Sequence, residues 1–204
     1  MARDLSPSCK RCRREGEKLF LKGERCLSEK CALSRRGAKE RSRYSRRASA
    51  YALQLKEKQK LRLMYGMFES QFRRFFKMAA KRGNPAIGLL LLLERRLDNV
   101  VYRIGWAQSR PQARQMVRHG HIAVSGHKVD ITSYLVKAAD QIELRKPEGA
   151  SAQERAELVD TTKLVPWLSA DSGGKKAQIE RLPAAEDVAD IPINTQLVVG
   201  LYSK

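Results

Sequence analysis

Ser109-Arg-Pro-Gln-Ala-Arg-Gln-Met-Val-Arg-His-Gly-His-Ile-Ala-Val-Ser-Gly-His-Lys-Val129 changes its hydrophobic period halfway along. Ser109 through Gln112 read as an S-x-x-Q capping box with proline in the first turn, which opens a helix. Ala113, Met116 and Val117 share the buried face of that helix, and His119-Gly120 stops it. Ile122-Ala-Val124 and Lys128-Val129 then flank Ser125-Gly126, the pattern of a tight hairpin. A further strand is expected at about Gln141 to Leu144. A capped helix running straight into an antiparallel hairpin makes the fold class α+β.

Upstream of this unit the chain reads as helical. Ser49 caps a helix that runs through Lys56, Lys58, Lys60 and Arg62 to about Tyr65, where Gly66 ends it. Phe72, Phe75, Phe76 and Ala79 then recur at i, i+3, i+4 and i+7, one buried stripe of a helix from near Glu69. Gly83-Asn84-Pro85 stops that helix. A third is expected from about Ala86 to Ile104, with Ile87, Leu90, Leu91, Leu97, Val101 and Ile104 on one face and Gly105 after its end. Asp98 and Asn99 on it are read as local capping or pairing groups. Downstream, 151–163 reads as a polar helix. Trp167-Leu168 and Gln178-Ile179 flank Ser172-Gly-Gly174 as a hairpin, and Gln196-Leu-Val-Val199 reads as a last strand. The expected domains are a basic N-terminal segment over 1–48, a helical domain over 49–92 continued by 145–204, and an α+β domain over 93–144 inserted between its two parts.

The chain has 204 residues and a formal charge of +19, which favours a polyanionic partner. Residues 1–84 carry a net +17, residues 85–144 carry +3, and residues 145–204 carry −1. The N-terminal third is therefore the electrostatic footprint. No apolar run reaches the roughly 18 residues of a membrane span, and the first residues lack a signal peptide's apolar centre. The expectation is a cytoplasmic, nucleic-acid-binding protein with no membrane contact.

All four cysteines lie within the first 31 residues, as Cys9, Cys12, Cys26 and Cys31, spaced C-x(2)-C-x(13)-C-x(4)-C. In a reducing compartment such a set suits one tetrahedral, structural Zn2+ with no open position. Free or redox-active thiols and an iron–sulfur cluster are the alternatives. There is little apolar sequence here, so a metal would supply much of the order of a zinc-stapled segment. Lys10, Arg11, Arg13, Arg14, Lys18, Lys22, Arg25 and Lys30 would help keep the thiols deprotonated.

Candidate phosphate contacts follow from charge. Around the cysteines they are Arg11, Arg13, Arg14, Lys18 and Lys22, followed by the run Arg35, Arg36, Lys39, Arg41, Arg43, Arg46 and Arg47. Lys56, Lys58, Lys60 and Arg62 cannot all face one way on a helix, so about half should meet phosphate. Arg110, Arg114, Arg118, His119, His121 and Lys128 surround the capped helix and hairpin. No carboxylate or nucleophile stands beside the histidines in sequence, which argues against catalysis there.

Several ordered stretches resemble the bacterial small-subunit ribosomal protein number four family in its zinc-carrying form. They are Cys9-Lys-Arg-Cys-Arg-Arg-Glu-Gly16, Leu21-Lys-Gly-Glu-Arg-Cys26, Glu57-Lys-Gln-Lys-Leu-Arg62 and Leu97-Asp-Asn-Val-Val-Tyr-Arg103. Ser109 through Gln115, Val117-Arg-His-Gly-His-Ile122, Pro166-Trp-Leu168 and Pro192-Ile-Asn-Thr-Gln-Leu197 complete the set, and the resemblance spans essentially the whole chain. It implies a non-enzymatic constituent of the small ribosomal subunit, not a homo-oligomer. Such a protein binds the rRNA 5′ domain at a multi-helix junction and nucleates assembly. It also implies contact with the fifth and third small-subunit proteins, a role in translational accuracy, and a place beside mRNA where it enters the subunit. Two features depart from the pattern. The family's longer Pro- and Gly-rich loop is shortened to Gly37-Ala-Lys-Glu40, and Ser125-Gly126 replaces the usual Asn-Gly. The family also includes cysteine-free versions. An RNA-modifying enzyme built on the same module would need a further catalytic domain, and only about 60 residues follow the module here. A DNA-binding zinc protein is the remaining alternative.

Overall fold

The computed structural model describes residues 6–35, 49–81, 83–145, 164–171 and 173–203. The chain divides into two compact units, one of residues 1–89 with 191–204 and the other of residues 90–190. The expected helix over 151–163 and the basic run from Arg36 to Arg47 lie outside the described residues.

The first unit holds α1 (Ser8–Glu15), α2 (Ala50–Met64), α3 (Glu69–Ala80) and α7 (Thr195–Tyr202), with the opening turns of α4 (Pro85–Glu94). Ser49 Oγ accepts the Ala52 N–H at 3.2 Å and starts α2, a cap that stabilises by roughly 1 kcal/mol. The helix ends as Gly66 turns to φ +61° and the Met67 N–H returns to the Arg62 carbonyl at 3.0 Å. The phenylalanine stripe of α3 is buried, as its spacing predicts. Tyr202 of α7 stacks on it, 4.5 Å from the Phe76 centroid and 6.2 Å from that of Phe72. The Tyr202 hydroxyl donates to Glu69 Oε1 (2.8 Å) while Lys58 of α2 donates to Glu69 Oε2 (2.9 Å), so one carboxylate ties three helices together.

The second unit contains the rest of α4, α5 (Leu97–Ile104), α6 (Arg110–Arg118) and one antiparallel sheet. Its strands are β1 (Ile122–Val124), β2 (His127–Lys128), β3 (Gln141–Leu144), β4 (Leu168–Ala170) and β5 (Lys176–Ile179), in the order β2-β1-β3-β5-β4. Val124 pairs with His127, leaving Ser125 (φ +48°) and Gly126 (φ +81°) as the two-residue turn. Positive φ at both positions gives the right-handed twist that the flanking strands need. Leu97, Val100, Val101 and Ile104 of α5 and Ala113 and Val117 of α6 pack on Ile122, Ile142, Leu168 and Ile179 of the sheet. Trp106 and Trp167 are fully enclosed, and Trp106 Nε1 donates to the Gly174 carbonyl at 2.6 Å.

Four sequence expectations are corrected. The single helix from Ala86 to Ile104 is two helices, broken at Arg95-Arg96, and Ile87 is exposed. At the break Arg96 adopts extended φ −67°, ψ 136°, and residues 95–97 bond to residues 134–136: Leu97 N–H to Tyr134 O (2.9 Å) and Val136 N–H to Arg95 O (3.0 Å). The apolar spacing runs in phase through this break, so periodicity alone could not reveal it. Gln196–Val199 is helix rather than strand, because Asn194 Oδ1 caps it through the Leu197 N–H (3.3 Å) and its apolar residues pack at helical spacing. The 145–204 stretch does not continue the helical domain as a whole. β4 and β5 join the sheet of the second unit, and only 191–204 returns to the first. Finally, the Ser109 side chain makes no cap hydrogen bond; Gln112 Oε1 instead accepts the Gln108 N–H at 2.9 Å.

Candidate nucleic-acid interface

The cysteine segment is built from α1, a 3-10 turn at Gly23–Cys26 and the loop to Cys31. Cys12, Cys26 and Cys31 are buried and Cys9 is half-buried. Leu19 and Leu21 pack with Cys12 against Leu63 of α2. The Lys22 N–H points at Cys26 Sγ (3.4 Å), and the Leu19 N–H bonds the Cys12 sulfur. Burial holds the Cys12 thiol above its ordinary value, with the charges of Cys26, Cys9 and Cys31 adding to the shift. At Cys31 burial acts upward too, but it is outweighed by hydrogen bonds from the Ser34 and Leu33 N–H groups and the Ser34 hydroxyl and by the Lys18 charge, so this thiol lies below its ordinary value. Four thiols, three of them with backbone N–H groups aimed at their sulfurs, are a donor set that suits Zn2+. Among the described residues no three His, Cys, Asp or Glu side chains are drawn together closely enough to hold a metal.

Of the six expected contacts near the cysteines, Arg14, Lys22 and Arg35 are exposed, while Arg11, Arg13 and Lys18 are half-buried. Arg13 Nε donates back to the Cys9 carbonyl (3.3 Å) and Arg11 Nε to Ser6 Oγ (3.0 Å).

The α2 reading needs the largest correction. Lys58 and Lys60 are buried, and each is paired: Lys58 with Glu69 and Lys60 with Glu17. They fasten α2 to its neighbours and present no charge to a partner. Lys56 and Arg62 are half-buried. Glu69 lies below the usual carboxylate range: burial alone would raise it, but the Lys58 and Tyr202 hydrogen bonds outweigh that. A depressed folded value means stability that is present above the unfolded value and lost as pH falls through the folded one. Lys58→Met is therefore expected to lower stability by about 1–2 kcal/mol while leaving the salt dependence of RNA binding unchanged. Melting curves and salt titrations of the variant check both parts.

The exposed charge that α2 withholds appears on α3. Arg73, Arg74, Lys77 and Lys81 are all exposed on the side opposite the phenylalanine stripe. Sequence reasoning missed them, although the periodicity that buries Phe72, Phe75 and Phe76 also fixes which basic residues face outward.

In the second unit the six predicted residues separate into two groups. Arg110 and Arg114 face inward. Arg114 Nη1 donates to Asp98 Oδ2 (3.1 Å), and Arg110 donates to Asn99 Oδ1 (2.8 Å) with its guanidinium 4.6 Å above the Tyr102 ring. Arg96, fully enclosed, makes a two-pronged pair with the same Asp98 carboxylate at 3.0 and 2.7 Å. Arg110 and Arg114 lock α6 to α5, while Arg96 secures the start of α5 itself. Arg114 and Arg110 are thus structural groups rather than phosphate contacts, and Asp98 and Asn99 pair locally as the sequence suggests.

Arg118, His119, His121 and Lys128 form the outward group. The Lys128 side chain lies across Gly120 (φ +75°), in the space a Cβ there would take. The His119 and His121 ring centroids are 5.8 Å apart. Arg145, at the end of β3, joins them through its N–H to the His121 carbonyl (2.8 Å) and is exposed. His127, across from Val124, is exposed as well. The end of α6, the hairpin and the exit of β3 therefore present one basic surface on a rigid sheet, suited to phosphate oxygens. Arg145 and His127 were absent from the sequence reading, because only strand register brings them here.

Comparison with known proteins fits this division. Residues 3–94 match the family described as ribosomal protein S4/S9 N-terminal domain, and residues 95–142 match the S4 domain. The chain is 49% identical to the small ribosomal subunit protein uS4 of Acetivibrio thermocellus, and 48% identical to the proteins of that name from Thermus thermophilus and Geotalea daltonii. Each of these alignments covers all of both chains.

Proposed function

This chain belongs to the uS4 family of small ribosomal subunit proteins, and from that membership we propose how its surfaces serve the subunit. It is a structural constituent of the small ribosomal subunit and not an enzyme, and it binds small-subunit rRNA and neighbouring ribosomal proteins. Its rRNA site is a multi-helix junction of the 5′ domain, which it engages early to nucleate assembly. The fifth and third small-subunit proteins are its neighbours. Through them it bears on decoding accuracy and on the passage where mRNA enters. One structural Zn2+ held by Cys9, Cys12, Cys26 and Cys31 orders the basic N-terminal segment; when bound, the ion adds a cross-link and no reaction chemistry. The donor chemistry of the four thiols supports that assignment.

The observation that carries the RNA reading is the basic surface of Arg118, Lys128 and Arg145 at the end of α6, the hairpin and the exit of β3, with Arg14, Lys22 and Arg35 exposed on the N-terminal segment. Recognition works through phosphate neutralisation and the shape of folded RNA, not through reading a duplex groove. The triple variant Arg118→Gln, Lys128→Gln, Arg145→Gln is expected to lower the log–log salt slope of binding to a 5′-domain fragment by about 2, at roughly 0.7–0.9 per phosphate contact. An unchanged slope removes this surface from the interface. Equal affinity of the wild-type protein for an unrelated RNA of the same size overturns the specific reading altogether.

A further inference from the structure

Phe20 combines two features that seldom meet. It is a bulky non-glycine residue at φ +51°, in the left-handed region that such residues rarely occupy, and its side chain is 42% exposed. Its neighbours explain how it is held. Leu19 and Leu21 are both buried, in the cluster with Cys12 and Leu63. The Leu19 N–H is taken by the Cys12 sulfur, and the Lys22 N–H points at Cys26 Sγ. The residues on both sides are thus fastened inward and Phe20 is turned out between them.

Packing does not account for an aromatic side chain here. A glycine or asparagine would take this backbone conformation at lower cost, and an exposed ring gains little from burial. Strain retained at an exposed aromatic points to a partner that uses the ring. The surroundings select the chemistry of that partner. Lys18 and Lys22 lie two residues to either side in sequence, Lys18 half-buried and Lys22 exposed, and Glu17, three residues away, is paired with Lys60. An aromatic face flanked by cations suits an unpaired nucleobase, with the ring stacking on the base and the lysines meeting its phosphates.

We propose that Phe20 is a base-stacking platform, taking one unpaired nucleobase of the rRNA bound by the N-terminal segment. This rests on the rRNA-binding reading above and adds a residue and a mode of contact to it. The ring belongs to the specific part of binding, because a stack is uncharged and independent of counterion release.

The test uses the full chain and a small-subunit 5′-domain fragment, with Phe20→Tyr, Phe20→Leu and Phe20→Gly. Phe20→Tyr should bind within about twofold of wild type. Phe20→Leu and Phe20→Gly should each lose about tenfold or more, since a base–aromatic stack contributes on the order of 1–3 kcal/mol. Neither should change the salt slope. Phe20→Gly should melt no lower than wild type, which separates lost stacking from lost folding. Chemical footprinting should show one nucleotide base becoming more reactive in the leucine complex than in the wild-type complex. Wild-type affinity in Phe20→Leu means that any apolar side chain suffices and overturns the stack. Wild-type affinity in Phe20→Gly removes the ring from the interface. Failure of the wild-type chain itself to discriminate the 5′-domain fragment is a separate result, and it would count against the function rather than against Phe20.

Discussion

Asp98→Ala is expected to destabilise the second unit by about 3–5 kcal/mol, the range found when one partner of a buried ion pair is removed. Asp98 receives three charge-assisted hydrogen bonds, two from Arg96 and one from Arg114. Arg96 is wholly enclosed, so the substitution strands a guanidinium that water cannot reach. For a unit of about 100 residues this corresponds to at least about 12 °C in melting temperature, at roughly 4 °C or more per kcal/mol. The triple variant Arg96→Met, Asp98→Leu, Arg114→Met removes the carboxylate and both of its cations together and should recover much of the loss, because apolar residues of similar volume can replace a buried ionic group. Calorimetry of both variants decides the matter. If Asp98→Ala melts within 3 °C of wild type, this carboxylate neither secures the start of α5 nor holds α6 against it. RNA binding by the first unit should survive the change.

If the proposed zinc is bound, its removal should have the other large effect, and on the other unit. A structural zinc contributes apparent free energies of about 10–16 kcal/mol to the segment it cross-links, and the segment here has only a small apolar cluster of Cys12, Leu19, Leu21 and Leu63. Chelation, or Cys26→Ser, is expected to release one Zn2+ per chain and to abolish amide protection over residues 8–35. Affinity for the rRNA fragment should fall with it. The 90–190 unit should melt unchanged, since its core of Leu97, Val101, Trp106, Ile142 and Trp167 contains no cysteine. A metal assay finding no zinc in freshly purified protein would remove the cross-link. Melting of both units together on chelation would overturn the division of labour.

What the sequence disclosed was what is local. Ser49, Gly66 and the phenylalanine stripe set α2 and α3 almost to the residue, because caps and one-sided apolar faces act within a turn or two. Ser125-Gly126 fixed the hairpin for the same reason. Apart from the Ser109 cap, which its neighbour Gln112 displaces, the main errors lie where a distant partner decides. The helix break at Arg96 exists because residues 134–136 bond to residues 95–97. The last apolar run became helix because Asn194 caps it and α2 and α3 offer it a packing face. Lys58 and Lys60 looked like phosphate ligands until Glu69 and Glu17 were seen beside them. In the candidate interface, charge density found Arg118 and Lys128, whereas Arg145 and His127 needed the strand register. A basic residue's sequence neighbours show its charge, but only the fold shows whether an acid is already there.

The covering of Phe72 and Phe76 by Tyr202 has a consequence in time. About 110 residues separate α3 from α7, and at 5–20 residues per second of synthesis α7 follows α3 by on the order of 5–20 s. During that interval the second unit can fold behind a first unit whose aromatic face is still open and whose Glu69 has lost one of its two partners. A nascent chain in that state exposes an apolar surface that a finished chain hides. Closure of the phenylalanine face is therefore the last folding step that synthesis allows: a chain cut short before residue 195 lacks Tyr202 and leaves Phe72 and Phe76 without their stacking partner.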